Sequence, residues 1–330
     1  MKELLEKLLL YKSLSREEAK SCLLEIGHGN VNAAQMSAFM TVYMMRSIKV
    51  EELAGFRDAM LEMCLSVDLS EFDPIDMCGT GGDGKDTFNI STCASFVVAG
   101  AGIAVAKHGN YGVSSAVGSS TLMEHVGYTF TNNADVLKRQ LDKAGICMLH
   151  APLFHPAMKH VGPVRKELGL RTFFNMLGPT ANPASPKRQL TGVFNLELAR
   201  LYTYLFQEIK KQFVVIHSLD VYDEISLTAP VKILSNMKEQ VYSPEQLGFS
   251  SIKPEQILNG GSVEASASIF TQVLENKATE AQRNVVLANA GMAIWCALPQ
   301  QSLDHCMAMA KESLESGKAL ASFKTLLATQ

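Results

Sequence analysis

The sequence carries no excess of positive charge: across 330 residues, 30 Lys and Arg face 33 Asp and Glu, a net charge of −3. No long-range positive field exists to gather nucleic acid or an acidic membrane surface. Any anionic ligand must therefore be held locally, by backbone N–H groups, a few cations or a metal. No CxxC spacing occurs among the seven cysteines, at positions 22, 64, 78, 93, 147, 296 and 306, and their number is odd. They read as reduced thiols of a cytosolic protein, mostly small buried hydrophobes, with a reactive Cys78 as the sharper alternative. No apolar run is long enough to span a bilayer; the longest, Phe96 to Ala106, is short and rich in glycine. The opening MKELLEKLLLYKSLSREEAK has acids inside its apolar stretch and no small-residue cleavage site, so it does not read as a signal peptide. Internal repeats and low-complexity tracts are absent as well.

What is present is the balance of a compact globular protein, with 47% hydrophobic and 19% charged residues in a length that commonly divides into two domains. Residues 1 to about 65 read as short helices: Leu4, Leu5, Leu8 and Leu9 recur at helical spacing, and Ser15 with Glu18 fits a capping box. Met36, Phe39, Met40, Tyr43 and Met44 form an apolar stripe that suits a helix core or, more sharply, an adaptable subunit contact. From about residue 73 strands and helices alternate. A strand reaches Met77, a helix runs from Thr92 to about Gly100, IAVAK (103–107) is a strand, and a helix surrounds Leu122 to Val126. ADVLKRQLDKAG reads as a helix closed by Gly145, ICMLHA as a strand, and LELARLYTYLFQEIKK as a helix leading into the strand QFVVIHS. This rhythm predicts an α/β fold with a largely parallel sheet flanked by helices. The stretch from His155 to about Pro186 breaks the rhythm and fits the N-terminal helical layer better.

Four segments carry chemistry. Cys78-Gly79-Thr80-Gly81-Gly82-Asp83-Gly84 follows a strand, and its glycines let backbone N–H groups face an anion. Asn89, Ser91 and Thr92 open the next helix, whose free N–H groups and dipole suit phosphate. The bland reading is a tight turn with an ordinary cap, since the loop is neither a Walker loop nor a dinucleotide GxGxxG. The second segment, Lys107-His108-Gly109-Asn110-Tyr111-Gly112-Val113-Ser114-Ser115 with Gly118-Ser119-Ser120, follows the next strand. Two polar loops after consecutive parallel strands lie at one sheet edge, where α/β ligand sites form. Third, adjacent Asp223 and Glu224 can hold Mg²⁺ beside substrate phosphates, or be an ordinary solvated pair. Fourth, the block 155–183 presents Arg165 near Pro179 and other apolar residues, a setting for an aromatic acid whose carboxylate the guanidinium grips. Its His155 and His160 lack a third partner for a metal.

GTGGD, KHGN with its serines, HPAMKH…PVR…LG.RT.FN.LGP..NP, DEIS and a GGS-led C-terminal helix occur in an order that resembles the anthranilate phosphoribosyltransferase family. The resemblance spans nearly the whole chain. It implies a small helical domain, 1–68 plus 163–189, hinged to an α/β domain, 69–162 plus 190–330, and a homodimer through the small domain. It further implies that the substrates are anthranilate and 5-phosphoribosyl 1-diphosphate, with two Mg²⁺ ions per subunit and no nucleic-acid or membrane partner. By motif match, Gly79, Gly82, Asp83, Thr87, Asn89, Ile90, Ser91, Thr92, Lys107 to Ser115 and Ser119 contact phosphoribosyl diphosphate. Ser91, Asp223 and Glu224 serve the metal. Gly79, Asn110 and Arg165 contact anthranilate, with His108 and Pro179 nearby. No general base is implied. The chain departs from the family at Tyr111, where Arg is usual, at Gly118-Ser119-Ser120-Thr121, which replaces GSAD, and at Val221-Tyr222, which replaces Gly-Leu. A pyrimidine nucleoside phosphorylase is the nearest rival; it needs neither the DE pair nor a carboxylate-binding arginine.

Overall fold

The computed structural model describes residues 1–112 and 117–330. Two compact units emerge: residues 1–67 with 151–185, and residues 68–150 with 186–330. The small-domain insert expected at 163–189 therefore begins earlier and ends earlier. Residues 151–162 join the helical unit, where the Leu65 N–H donates to the Phe154 carbonyl at 2.8 Å and the helix Met158–Leu168 packs on Arg16–Gly27 and Ala33–Met45. Residues 186–189 leave it, because Arg188 already opens a strand of the sheet.

The helical unit gathers the helices Lys2–Leu9, Arg16–Gly27, Ala33–Met45, Val50–Glu62, Ala151–Phe154 and Met158–Leu168. Ser15 and Glu18 form the expected capping box. The stripe of Met36, Phe39, Met40 and Tyr43 is buried, with Phe39, Tyr43, Phe56 and Phe173 packed ring to ring. The core reading of that stripe holds, and these side chains offer little to a partner. Buried Glu52 accepts from the Leu14 and Lys49 N–H groups, the Tyr43 hydroxyl and Arg46, so its charge is fully satisfied.

The larger unit is built on a seven-stranded sheet: β1 (Ile75–Asp76), β2 (Val105–Gly109), β3 (Ile146–His150), β4 (Arg188–Gly192), β5 (Gln212–Ser218), β6 (Val231–Ser235) and β7 (Glu239–Tyr242). The order is β3-β2-β1-β4-β5-β6-β7; the first five strands are parallel, and β6 and β7 add an antiparallel edge. The helix Ile90–Gly100 is almost wholly buried beneath Glu280–Ala297 and Lys318–Ala328, which explains its unbroken apolar sequence. Ala134–Ala144 ends on Gly145 in the left-handed conformation, as its sequence predicts. No helix among the described residues is long and apolar enough to cross a membrane.

Candidate active site

The loops that follow β1, β2 and β5 leave the same edge of the sheet. After β1 the chain enters the glycine loop, where Gly81 and Gly82 take φ of 62° and 81°, a conformation that other residues adopt only under strain. The loop is anchored by the Thr80 N–H, which donates to the Gly192 carbonyl at the end of β4 at 3.0 Å. Asp223 and Glu224 lie in the β5–β6 connection and reach into this loop. The Gly81 N–H donates to Asp223 Oδ2 at 2.7 Å, and the Ser91 N–H at the start of Ile90–Gly100 donates to Glu224 Oε1 at 2.9 Å. The Thr87 hydroxyl stands 3.4 Å from Glu224 Oε2. The glycine loop, the helix N-terminus and the acidic pair are thus one site.

Its electrostatics follow from crowding. Burial first, then the neighbouring carboxylates of Glu224 and Asp83, hold Asp223 well above the ordinary carboxylate range. Burial also raises Glu224, against which the Ser91 N–H and Lys107 pull downward. A half-buried acidic group of this kind is a setting for a cation, and its donors are hard oxygens. Among the described residues no group of three or more His, Cys, Asp or Glu side chains is gathered to hold a metal by itself. Mg²⁺ does not require one, because it takes one or two carboxylates and completes its shell with phosphate oxygens and water. The residues fit the ion.

Two positions outside the expected set make this geometry possible. Gly192 passes so close to the acidic loop that an added Cβ would lie 1.5 Å from the Asp223 carbonyl oxygen. Asn289, buried on the helix Glu280–Ala297, accepts from the Ile225 N–H at 3.0 Å and donates to the Ile225 carbonyl at 2.9 Å. That clamp fixes the backbone next to Glu224. Neither has a local motif; a glycine ending a strand and an amide inside an apolar helix were the only signals.

The segment after β2 is arranged differently from a simple row of donors. Lys107 is buried, and its ammonium donates to the Met77 carbonyl at 2.8 Å, beneath the glycine loop. His108 is buried, with its N–H on Asp76 Oδ1 at 3.0 Å. Asn110, Tyr111 and Gly112 are exposed, and the Asn110 carbonyl accepts from the Ser120 N–H at 3.2 Å. Ser119, half-buried, stands with its hydroxyl 3.3 Å from the same carbonyl. Ile90 and Thr92 are fully buried, whereas Gly79, Asp83, Thr87, Asn89 and Ser91 are partly exposed. Asn89 is engaged structurally: its amide donates to the Val117 carbonyl and accepts from the Ser266 hydroxyl. Val113, Ser114 and Ser115 lie outside the described residues. Burial lifts the Cys78 thiol above its ordinary value, which argues against a nucleophilic role.

In the helical unit, Arg165 is half-buried on Met158–Leu168. Its guanidinium donates to Asn175 Oδ1 at 3.2 Å and lies 5.5 Å from the Phe174 ring centre. Burial lowers its pKa, and among the described residues no carboxylate pairs with it. Pro179 is buried nearby in sequence, on the short 3₁₀ turn Gly178–Thr180. His155 Nε2 pairs with the Ala181 carbonyl at 2.9 Å, a packing role.

Backbone donors, a helix N-terminus and paired carboxylates at one sheet edge define a phosphate-handling α/β enzyme. Family models agree with that division: the helical bundle domain of the glycosyl transferase family matches residues 2–64, and its a/b domain matches residues 71–320. The anthranilate phosphoribosyltransferase of Cytophaga hutchinsonii is 59% identical over 324 residues, covering 98% of this chain and 99% of that protein. The crystal structure of the Thermus thermophilus anthranilate phosphoribosyltransferase superposes with a TM-score of 0.92 at 31% identity, over 98% of both chains. The Saccharomyces cerevisiae enzyme in complex with PRPP and Mg gives 0.91 at 27% identity, covering 98% of this chain and 96% of that one. The chain belongs to the anthranilate phosphoribosyltransferase family and is an enzyme of the glycosyl transferase class.

Proposed function

We propose that this enzyme transfers the phosphoribosyl group of 5-phosphoribosyl 1-diphosphate to the amine of anthranilate, yielding N-(5-phosphoribosyl)anthranilate and diphosphate in tryptophan biosynthesis. The observation that carries the reading is the meeting of the Gly81 N–H, the Ser91 N–H and the Asp223–Glu224 pair within hydrogen-bond distance. Phosphate oxygens arriving at this edge find donors already aimed by the loop and the helix dipole. Asp223, Glu224 and the Ser91 hydroxyl would hold Mg²⁺, and we assign two ions per subunit. When bound, the metal neutralises negative charge on the leaving diphosphate.

The remaining roles belong to the chain itself. The glycine loop, Thr87 and the exposed Asn110–Gly112 segment cradle the phosphoribosyl diphosphate, with Val113 to Ser115 and Ser119 assigned alongside. Lys107 contributes charge from beneath the loop rather than by direct grip, since its ammonium is engaged with Met77. Arg165 receives the anthranilate carboxylate, and Gly79, Asn110, His108 and Pro179 are assigned to the same substrate. The amine nitrogen bonds to the ribose C1 carbon as the C1–oxygen bond to diphosphate breaks. An aromatic amine is neutral at pH 7, so positioning and charge stabilisation suffice without a strong base. The assay is the loss of anthranilate fluorescence on adding phosphoribosyl diphosphate and Mg²⁺. Unchanged fluorescence with active-site concentrations of protein would overturn the reading.

A homodimer through the helical unit is part of the proposal. With the methionine stripe buried, the surface left for a second copy is Leu9, Leu10 and Tyr11 at the end of Lys2–Leu9, and Met45 at the end of Ala33–Met45. These side chains are 68%, 67%, 88% and 81% exposed, and the two helices pack against each other. Light scattering showing only monomer at micromolar concentration would remove it. We place the enzyme in the cytoplasm, in keeping with seven free thiols.

A further inference from the structure

The central strand β1 is the shortest of the sheet, two residues, while its neighbour β2 continues to Gly109 alongside β3. Beyond Asp76 the chain departs into the glycine loop, so β2 loses its strand partner where the Lys107-His108-Gly109-Asn110 segment begins. Side chains bridge the gap. Asp76, fully buried, accepts the His108 N–H on Oδ1 at 3.0 Å. Its Oδ2 accepts from Gln189 Nε2 of β4 at 3.3 Å. Gln189 Oε1 in turn accepts from Lys211 Nζ, just ahead of β5, at 3.0 Å. A directed chain of buried hydrogen bonds thus crosses β2, β1, β4 and the start of β5, and it ends on the backbone of the substrate loop.

The chemistry explains why a carboxylate stands at this position. Only an ionised carboxylate offers two acceptors, one for the His108 N–H and one for the Gln189 amide; an amide offers one acceptor and one donor. We propose that Asp76 is a positioning residue of the transfer reaction, fixing the β2 loop against the glycine loop so that both meet the same diphosphate. The proposal rests on the transferase reading above. It assigns no contact with substrate to Asp76, which acts through His108.

Asp76→Asn keeps the shape but reverses one bond. The introduced amide nitrogen faces the Gln189 amide nitrogen, and turning Gln189 over presents its nitrogen to the Lys211 ammonium. Donor meets donor at one link or the other. The double variant Asp76→Asn/Gln189→Glu removes the conflict, because the new carboxylate accepts from both the amide and Lys211 while the charge stays constant.

The experiment is steady-state kinetics with each substrate varied, alongside thermal melting. A displacement of the loop by a fraction of an ångström to 1 Å lowers turnover by up to about 100-fold. Asp76→Asn should therefore lose roughly 10- to 100-fold in kcat and raise KM for phosphoribosyl diphosphate, with KM for anthranilate changed less than about threefold. The double variant should recover to within about fivefold of the parent kcat. Gln189→Met, which removes the middle link alone, should show the same KM pattern and keeps the test alive should Asp76→Asn not fold. Asp76→Asn at parental rates overturns the proposal. So does a double variant as impaired as the single one, or a loss spread equally over both KM values with a lowered melting temperature. Absence of transfer by the parent protein would instead overturn the reaction assignment, leaving the loop geometry untouched.

Discussion

Replacing Arg165 with alanine tests the substrate assignment most directly, because the side chain has so little structural work that its loss can be read as lost binding. Its observed partners are a neutral amide, Asn175 at 3.2 Å, and the face of Phe174 at 5.5 Å. The cation–π contact is worth about 0.5–1 kcal/mol. Against it stands the burial that lowers the guanidinium pKa, a cost relieved when the charge is removed. The two nearly offset, so the melting temperature should move by no more than about 2 °C. A guanidinium–carboxylate bond, in contrast, is worth roughly 1.5–3 kcal/mol. At 1.36 kcal/mol per tenfold, Arg165→Ala should cost about 10- to 150-fold in kcat/KM for anthranilate. KM for phosphoribosyl diphosphate should stay within about twofold. Arg165→Lys should recover only part of the loss, since a point charge cannot reproduce the planar fork. Steady-state kinetics with each substrate varied in turn, plus a thermal melt, make the comparison. Equal impairment toward both substrates, or none, would refute the carboxylate assignment.

The acidic pair gives an opposite pairing of activity and stability. Asp223→Asn/Glu224→Gln should abolish turnover, and it should raise the melting temperature in chelator at pH 7 because the crowded charges are gone. Both folded-state carboxyl values lie above the unfolded ones, so the native protein holds more protons as pH rises from about 4 toward the folded values, and stability falls through that window. Melting scans in chelator should show this decline in the parent and a flatter profile in the variant; parallel profiles would contradict it. Val221 takes a φ of 79°, a left-handed conformation that costs a β-branched residue about 1–3 kcal/mol. After subtracting about 0.4–1 kcal/mol for glycine's freer unfolded chain, Val221→Gly should still raise the melting temperature by about 2 °C. A fall would show that no strain is held there. Gly192→Ala must push the Asp223 backbone away and should lower kcat at least about tenfold; near-parental kinetics would show that the acidic loop tolerates displacement.

The parts of this enzyme that were legible in the sequence are those whose cause is local. Ser15–Glu18 caps its own helix, Gly145 ends the one before it, and the glycine loop supplies its own unusual backbone angles. The strand β4, Arg188-Gln189-Leu190-Thr191-Gly192, was not legible, because its single large apolar residue gives no strand signal. Its polar side chains are buried for partners elsewhere: Gln189 for Asp76 and Lys211, and Gly192 for the backbone of Asp223. The β6–β7 hairpin escaped notice for a related reason, since Glu239-Gln240-Val241-Tyr242 is an exposed edge whose pairing is fixed by β6 rather than by its own pattern.

The departures from the family pattern, uninterpretable as text, have physical partners in the structure. Tyr111 stands where a cation is usual, yet it still pins the loop: its hydroxyl donates to Glu124 at 2.8 Å, and its ring meets His150 edge-on at 4.9 Å. Gly118 ahead of Ser119 has no room for a side chain, because a Cβ there would fall 2.0 Å from the Gly112 nitrogen. Tyr222, beside the acidic pair, is buried under the Lys85 ammonium, which lies 4.7 Å from its ring centre. Lys85 follows the glycine loop in sequence, so this cation–π contact ties that loop to the β5–β6 connection a second time. The same ends are met in each case, a loop held in place and two segments joined, with different atoms. Motif matching recovers the reaction because the groups facing substrate are constrained by chemistry. It loses the supporting contacts because many side chains can hold a loop at a given height, and only the three-dimensional neighbourhood says which of them this chain uses.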